Sequence, residues 1–198
     1  MQRLTREHRL LPPKRSQGQR RRPGYVEVTQ PDELWHLDMT SVWVAEHGWC
    51  NAAIDCCTRE IVGWALDVRC RAHEAMAVIN RALAERGIGP GELTLGTDNG
   101  TAFTSRAFRA RLAEHGIAHR RGGYRDSESQ AFIESWFGKL KQRLVWRSEF
   151  ETLDQARKEI GTYIDRYHHR PHSGLRYRTP AAVRRTWNDG QRLIKSAA

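Results

Sequence analysis

The sequence contains no apolar run approaching the roughly 20 residues that a membrane-spanning helix needs. Its opening stretch, "MQRLTREHRLLPPKRSQGQRRRPG", lacks the apolar centre of a secretory signal. With a mean hydropathy of −0.72, this predicts a soluble chain of cytoplasmic location with no membrane partner. Cysteine is scarce: Cys50, Cys56, Cys57 and Cys70 show neither C-x-x-C spacing nor paired histidines around them. That leaves no basis for a zinc module or a disulfide framework, and the four read as small core or strand residues. The one dense histidine cluster, "HHRPH" at 168–172, has no cysteine near it and reads as surface or DNA-facing polar chain rather than a metal site. No internal repeat is visible, and 198 residues suffice for one substantial core.

Charge is present in excess and unevenly placed. Residues 1–30 carry eight Lys/Arg against two acids, residues 31–138 eleven against fifteen, and residues 139–198 fourteen against six. Two basic flanks point to a polyanion partner, since each cation near a phosphate releases a counterion. The acidic centre is the sharper clue: carboxylates beside phosphates make electrostatic sense only with cations between them.

Pro, Gly and a charge run in "PPKRSQGQRRRPG" mark a linker after a short helix predicted in residues 1–11. We therefore divide the chain into a basic arm and linker (1–30), a core (31–147) and a basic helical C-terminal extension of that core (148–198). "ELWHLDMTSVWV", "WCNAAIDCCT" and "EIVGWALDVR" predict three consecutive antiparallel strands. In "AHEAMAVINRALAERG" the period becomes helical, with Gly87 as the stop. "ELTLGTD" is a fourth strand, "SRAFRARLAEHG" a helix capped by Ser105 and closed by Gly116, and "GIAHR" a short fifth strand. The Gly-rich "RGGYRDSES" predicts a mobile loop leading into a long helix, "QAFIESWFGKLKQRLVW". The result is an α/β fold, a mixed five-stranded sheet flanked by helices.

Asp38 interrupts the apolar pattern of the first strand, and Asp98 closes the fourth within "LGTDNGTAFTS". Asp-Asn-Gly has two readings, a turn with a positive-φ glycine or a metal ligand. Glu134 follows Asp98 with 35 residues between. On the last helix Ile133, Trp136, Leu140 and Leu144 form one apolar stripe, and Gln130, Glu134 and Lys141 share the adjacent face. Three carboxylates gathered at a sheet edge resist ionising together unless divalent cations join them. Hard oxygen donors suit two Mg²⁺ or Mn²⁺ ions able to activate water or a hydroxyl against a phosphodiester. Trp35 and Trp136, with apolar neighbours, read as core residues.

Trp35-x-x-Asp38-x-Thr40, "TDNGTAFTS" and "SQAFIESWFGKLK" together resemble the three signatures of the retroviral-type integrase catalytic core, with its D,D-35-E spacing. "YIDRYHHRPHSGLRYRTPAAV" is similar to the C-terminal part of bacterial insertion-sequence transposases. The resemblance covers roughly residues 25–185. It implies an RNase H-like fold and a bacterial DDE transposase that cleaves the end of a mobile element and transfers the strand. Asp38, Asp98 and Glu134 would be its catalytic residues and hold two divalent ions. Lys141 matches a position that contacts end DNA in the family, and Lys139, Arg143, Asn99 and Gln130 complete the candidate DNA contacts. For Asn99 a turn-forming role stays open.

The resemblance departs at Ser129-Gln130, where many bacterial relatives have Asp-Asn, and in the upstream recognition region, for which only "MQRLTREHRLL" stands here. Three readings of this stay open, a fragment, a misassigned start, or the second of two overlapping reading frames, and a separate helix-turn-helix subunit is one candidate partner. DNA binding by this chain is expected to be salt-sensitive and indifferent to sequence. Paired element ends call for a homo-oligomer, at least a dimer. A different class of function, a catalytically silent DNA-binding remnant acting as a regulator, is the competing reading.

Overall fold

The computed structural model describes residues 28–69, 71–122 and 130–196. The helix predicted in residues 1–11 and most of the loop predicted at 121–129 lie outside these, as do Cys70 and Ser129. In chain order the elements are β1 (Leu34–Val44), β2 (Glu46–Asp55), β3 (Ile61–Asp67), α1 (Ala72–Arg86), β4 (Thr94–Thr97), α2 (Thr101–Thr104), α3 (Arg106–Glu114), β5 (Ala118–Arg121), α4 (Ala131–Arg143), α5 (Leu153–His168) and α6 (Pro180–Ser196). Short 3-10 turns follow α4 and α5, at Val145–Arg147 and Ser173–Leu175.

The strands form one sheet in the order β3-β2-β1-β4-β5. β1, β2 and β3 are an antiparallel meander, which short connections such as the single residue Ala45 between β1 and β2 require. β4 and β5 run parallel to β1, each reached through a helical crossover. The predicted mixed five-stranded sheet is thus present.

Alternation along the strands separates two cores. Trp35 and Leu37 of β1 face one side, where Val78, Ile79, Phe103, Phe108 and Leu112 pack. Val42 and Val44 face the other, against Ile133, Trp136, Phe137 and Leu140 of α4. Both predicted core tryptophans are buried, Trp35 at 0% and Trp136 at 1% exposure. Helix α5 joins the second core through Ala156, Ile160, Ile164 and Tyr167, a stripe at near-helical spacing that makes this part of the extension integral to the sheet's packing.

Helix ends follow local chemistry. Gly87 closes α1 in the left-handed region (φ 67), where a Cβ would be strained. The Ser105 hydroxyl accepts from the Phe108 amide at 3.1 Å and caps α3. The one-turn helix α2 between β4 and α3 was not expected from sequence; four residues are too few for a periodic signal.

α6 is fastened by charge. Arg184 makes a two-pronged contact with Asp32 (2.6 and 2.8 Å) and reaches Glu60 at 3.0 Å. Arg86 also donates to Glu60 at 3.0 Å. Asp55, fully buried, accepts from the Asp32, Cys57 and Thr58 amides and closes the β2–β3 turn. Burial raises the Asp55 carboxyl above its ordinary range, partly offset by the Thr58 and Asp32 amides.

Candidate active site

The pairing of β1 with β4 sets the site. The parallel register runs Leu34–Thr94, Trp35–Leu95, His36–Gly96. Continued two residues, it brings Asp38 level with Asp98, where β4 has ended and the edge of β1 opens. Neighbouring strands lie about 4.8 Å apart, so carboxylates in step on them share one electrostatic environment. Asp38 has the strand parity of Val42 and Val44, which places it on the α4 side of the sheet.

Each aspartate is fixed by one oxygen. Asp38 Oδ1 accepts the Met39 amide at 2.7 Å, and Asp98 Oδ1 accepts the Gly100 amide at 2.8 Å. In each, this orients the carboxylate and leaves Oδ2 out of that bond. The half-buried Asp38 carboxyl is pushed up to about 6. Burial is the largest cause; the negative charges of Asp98 and Glu134 add to it, and the Met39 amide and Lys141 work against it. The charges of Asp98, Glu134 and Lys141 thus all bear on Asp38, and Asp98 and Glu134 are solvent-exposed.

The turn read from Asp-Asn-Gly is present. Gly100 makes it at φ −57°, without the positive φ that Asn-Gly tolerates, and stands at the N-terminus of α2. What it supplies is close approach: a Cβ there would come within 2.9 Å of Asp98 Oδ1. The Asp-Asn-Gly turn is thus an Asx turn in which the aspartate side chain takes the place of a backbone carbonyl. Asn99 donates to the Gly122 carbonyl at 2.7 Å and ties this turn to the strand beside it.

Gln130 is buried, at 5% exposure, in the junction where α4 begins. A Cβ on Gly96 would meet its Nε2 at 3.3 Å and His36 Cδ2 at 2.6 Å, so these three groups interlock beneath the carboxylates. His36 stacks on Phe132 at 6.1 Å. Burial and then the charges of Arg120 and Arg59 lower its imidazole to about 4, so it is neutral at physiological pH.

The remaining candidate DNA contacts divide between two faces of α4. At about 100° per residue, Lys141 lies about 20° from Glu134, whereas Lys139 and Arg143 lie about 140° and 180° away. Lys141 accordingly acts on Asp38, while Lys139 and Arg143 line a separate cleft with Arg59, Arg166 and Arg170. The last three were not singled out from sequence. The "HHRPH" cluster was the only signal near them, and it too divides: His168 Nε2 accepts the Ile61 amide at 3.0 Å, while His169 and His172 line the cleft.

Among the described residues no three His, Cys, Asp or Glu side chains stand close enough to enclose a single ion. The donor set nevertheless fits a hard divalent cation: carboxylate oxygens on an open edge, with Asp38 held against ionisation first by burial and then by the charges of Asp98 and Glu134.

The model of the integrase core domain family matches residues 28–127, and a second integrase core domain model matches residues 115–180. The chain belongs to the integrase core domain family. Among curated proteins this core is similar to the transposase for insertion sequence element IS904 of Lactococcus lactis, with 31% identity over 78% of this chain and 62% of that one. It is similar also to the 39.2 kDa protein of insertion element IS476 of Xanthomonas euvesicatoria, with 31% identity over 85% of this chain and 48% of that one. The chain thus spans about half to three-fifths of the length of these relatives.

Two solved structures share the fold. One is from the simian T-cell lymphotropic virus intasome in complex with PP2A regulatory subunit B56 gamma, with TM-score 0.70 and 18% identity over 85% of this chain and 60% of that one. The other is the HTLV-2 integrase catalytic core domain in complex with magnesium, trimeric form, with TM-score 0.59 and 17% identity over 77% of this chain and 96% of that one. The fold is RNase H-like, as in these integrase structures.

Proposed function

We propose that this chain is the catalytic core of a DDE transposase, which hydrolyses the end of a mobile element and joins the freed 3′-hydroxyl to target DNA. The observation that carries the reading is the β1–β4 register, which sets Asp38 level with Asp98 at the open sheet edge, with the charges of Asp98, Glu134 and Lys141 all bearing on Asp38. The substrate class follows from family membership and from the similarity to insertion-sequence transposases. A cytoplasmic site of action, where bacterial DNA lies, goes with it.

Asp38, Asp98 and Glu134 would hold two divalent ions, Mg²⁺ or Mn²⁺. When bound, such ions supply an activated oxygen nucleophile and neutralise charge on the phosphodiester. The chain's own residues do the rest. The Met39 and Gly100 amides keep the two aspartates oriented. Asn99 holds the Asp98 turn against the Gly122 carbonyl. Lys141 adds positive charge beside the carboxylates, where the phosphate of an end nucleotide would otherwise be repelled. Processing two ends together calls for at least a dimer.

The test is a branched DNA that mimics the joined product, incubated with the protein and Mg²⁺ or Mn²⁺. The proposal expects reversal of joining, with a released end and a resealed target strand. Cleavage without resealing would make the chain a nuclease of the same fold, and binding without either would make it a regulator.

A further inference from the structure

A second site lies on the opposite side of α4 from the carboxylates. It is a cleft of about 760 Å³ between α4, α5 and the turn that follows α5. Five cationic side chains line it, Arg59, Lys139, Arg143, Arg166 and Arg170, and among the described residues no carboxylate does. In a chain carrying 23 acids to 33 bases, a cavity wall this one-sided is built to receive negative charge.

The cations act on common ground. Arg143 and Arg170 both bear on the Tyr163 hydroxyl, and Lys139 and Arg170 both bear on the His172 ring. Arg59 is held with its guanidinium 3.0 Å over the Phe132 ring, which fixes that charge in the wall.

The rest of the wall is aromatic and apolar, with Ile54, Trp136, Tyr163, Tyr167 and Pro171. A lone inorganic anion has no use for that surface. At about 760 Å³ the cleft is in the size range of sites that enclose a whole small molecule. Cations beside aromatic rings are the pairing that single-stranded nucleic acid requires, phosphate on the former and base on the latter. A base stacked within a duplex cannot enter such a concavity.

We propose that this cleft binds a nucleotide of a single-stranded DNA segment, its phosphate on Lys139, Arg143, Arg166 and Arg170 and its base against the aromatic wall at Tyr163. The site is separate from the Asp38 centre and lies about one helix diameter, roughly 10 Å, across α4. It thus supplies a hold on an unpaired strand that the carboxylate side does not contain.

Fluorescence anisotropy of a labelled short oligothymidylate, measured in EDTA, tests this without metal or joining. Failure here therefore leaves the strand-transfer reading untouched. The probe is titrated with wild type, with the double substitution Arg166→Ala/Arg170→Ala, and with Arg106→Ala/Arg109→Ala. The second pair removes equal charge from α3, and all four side chains are exposed, so the fold is not at stake. The Arg166/Arg170 pair should weaken binding by about tenfold or more, equivalent to about 1.4 kcal/mol, and the α3 pair by no more than about twofold. Unlabelled oligothymidylate should displace the probe at far lower nucleotide concentration than thymidine monophosphate or inorganic phosphate. Equal loss in both double variants would reduce the cleft to general charge attraction. Equal displacement by inorganic phosphate would make it a simple anion site, and equal displacement by thymidine monophosphate a free-nucleotide site. Each of these results overturns the proposal.

Discussion

Asp38 and Asp98 stand level on adjacent parallel strands, two residues beyond the last paired positions, His36 and Gly96. From this follows the electrostatic state of the site, because Asp38 is half-buried and meets the charge of Asp98 across the strand gap and that of Glu134 from the helix above.

The first prediction concerns acid and metal. Asp38 titrates at about 6, above the ordinary carboxylate value near 3.9, so the folded chain holds this proton more tightly than the unfolded chain does. Its contribution to stability is therefore full below pH 4 and is lost as pH rises through 6. Metal-free Asp38→Asn should then be more stable than wild type at pH 7, by about 1–3 kcal/mol, read from chemical denaturation. A less stable variant would show that Asp38 is needed structurally.

Because cations bind the ionised carboxylate, Mn²⁺ affinity should fall by about tenfold per pH unit below 6 and level off above it. Lys141 lowers the Asp38 value, so in Lys141→Gln the fall should begin at higher pH. Titration calorimetry across pH 5–8 reads both, and an unmoved profile in the variant would remove Lys141 from the site.

Gly100→Ala tests orientation alone. Alanine is at ease at φ −57°, so the backbone is not strained, but its Cβ would press on Asp98 Oδ1. Stability should change by less than about 1 kcal/mol, while joining falls by roughly tenfold to a hundredfold. Full activity would mean that the Asx turn does not govern Asp98.

Much of this architecture was legible in the sequence. The three-strand meander, the stop at Gly87 and the Ser105 cap depend on residues within a few positions of one another. The carboxylates are singled out by their spacing and the resemblance it carries, and the level placing of Asp38 and Asp98 comes only from the pairing of β1 with β4. The conformation of Gly100 was not, because Asn-Gly suits both positive φ and an Asx turn, and only the position of Asp98 Oδ1 decides. Nor was the division of Lys141 from Lys139 and Arg143 drawn from sequence, although 100° steps along α4 contain it. The cleft could not be read at all: Arg59 comes from the β2–β3 turn, 107 residues before Arg166 on α5, and only tertiary packing joins them.

Arg184 offers a prediction about stability away from the site. It is the common partner of Asp32 and Glu60, with 12% of its side chain exposed. Arg184→Ala leaves those carboxylates crowded near Asp55 without their main cation and should cost about 3 kcal/mol. Loss of α6 docking should appear as faster amide exchange in Pro180–Ser196. A loss below about 1 kcal/mol, the range of surface ion pairs, would mean that the network is solvated.

The central claim is that Asp38, Asp98 and Glu134 act together in metal-dependent strand transfer. Reversal of joining on branched DNA in Mg²⁺ tests it most directly when run with Asp38→Asn, Asp98→Asn and Glu134→Gln beside wild type. The account predicts that each substitution removes nearly all released product while DNA affinity in the same samples stays within a few-fold. Undiminished product from any one of the three would contradict it.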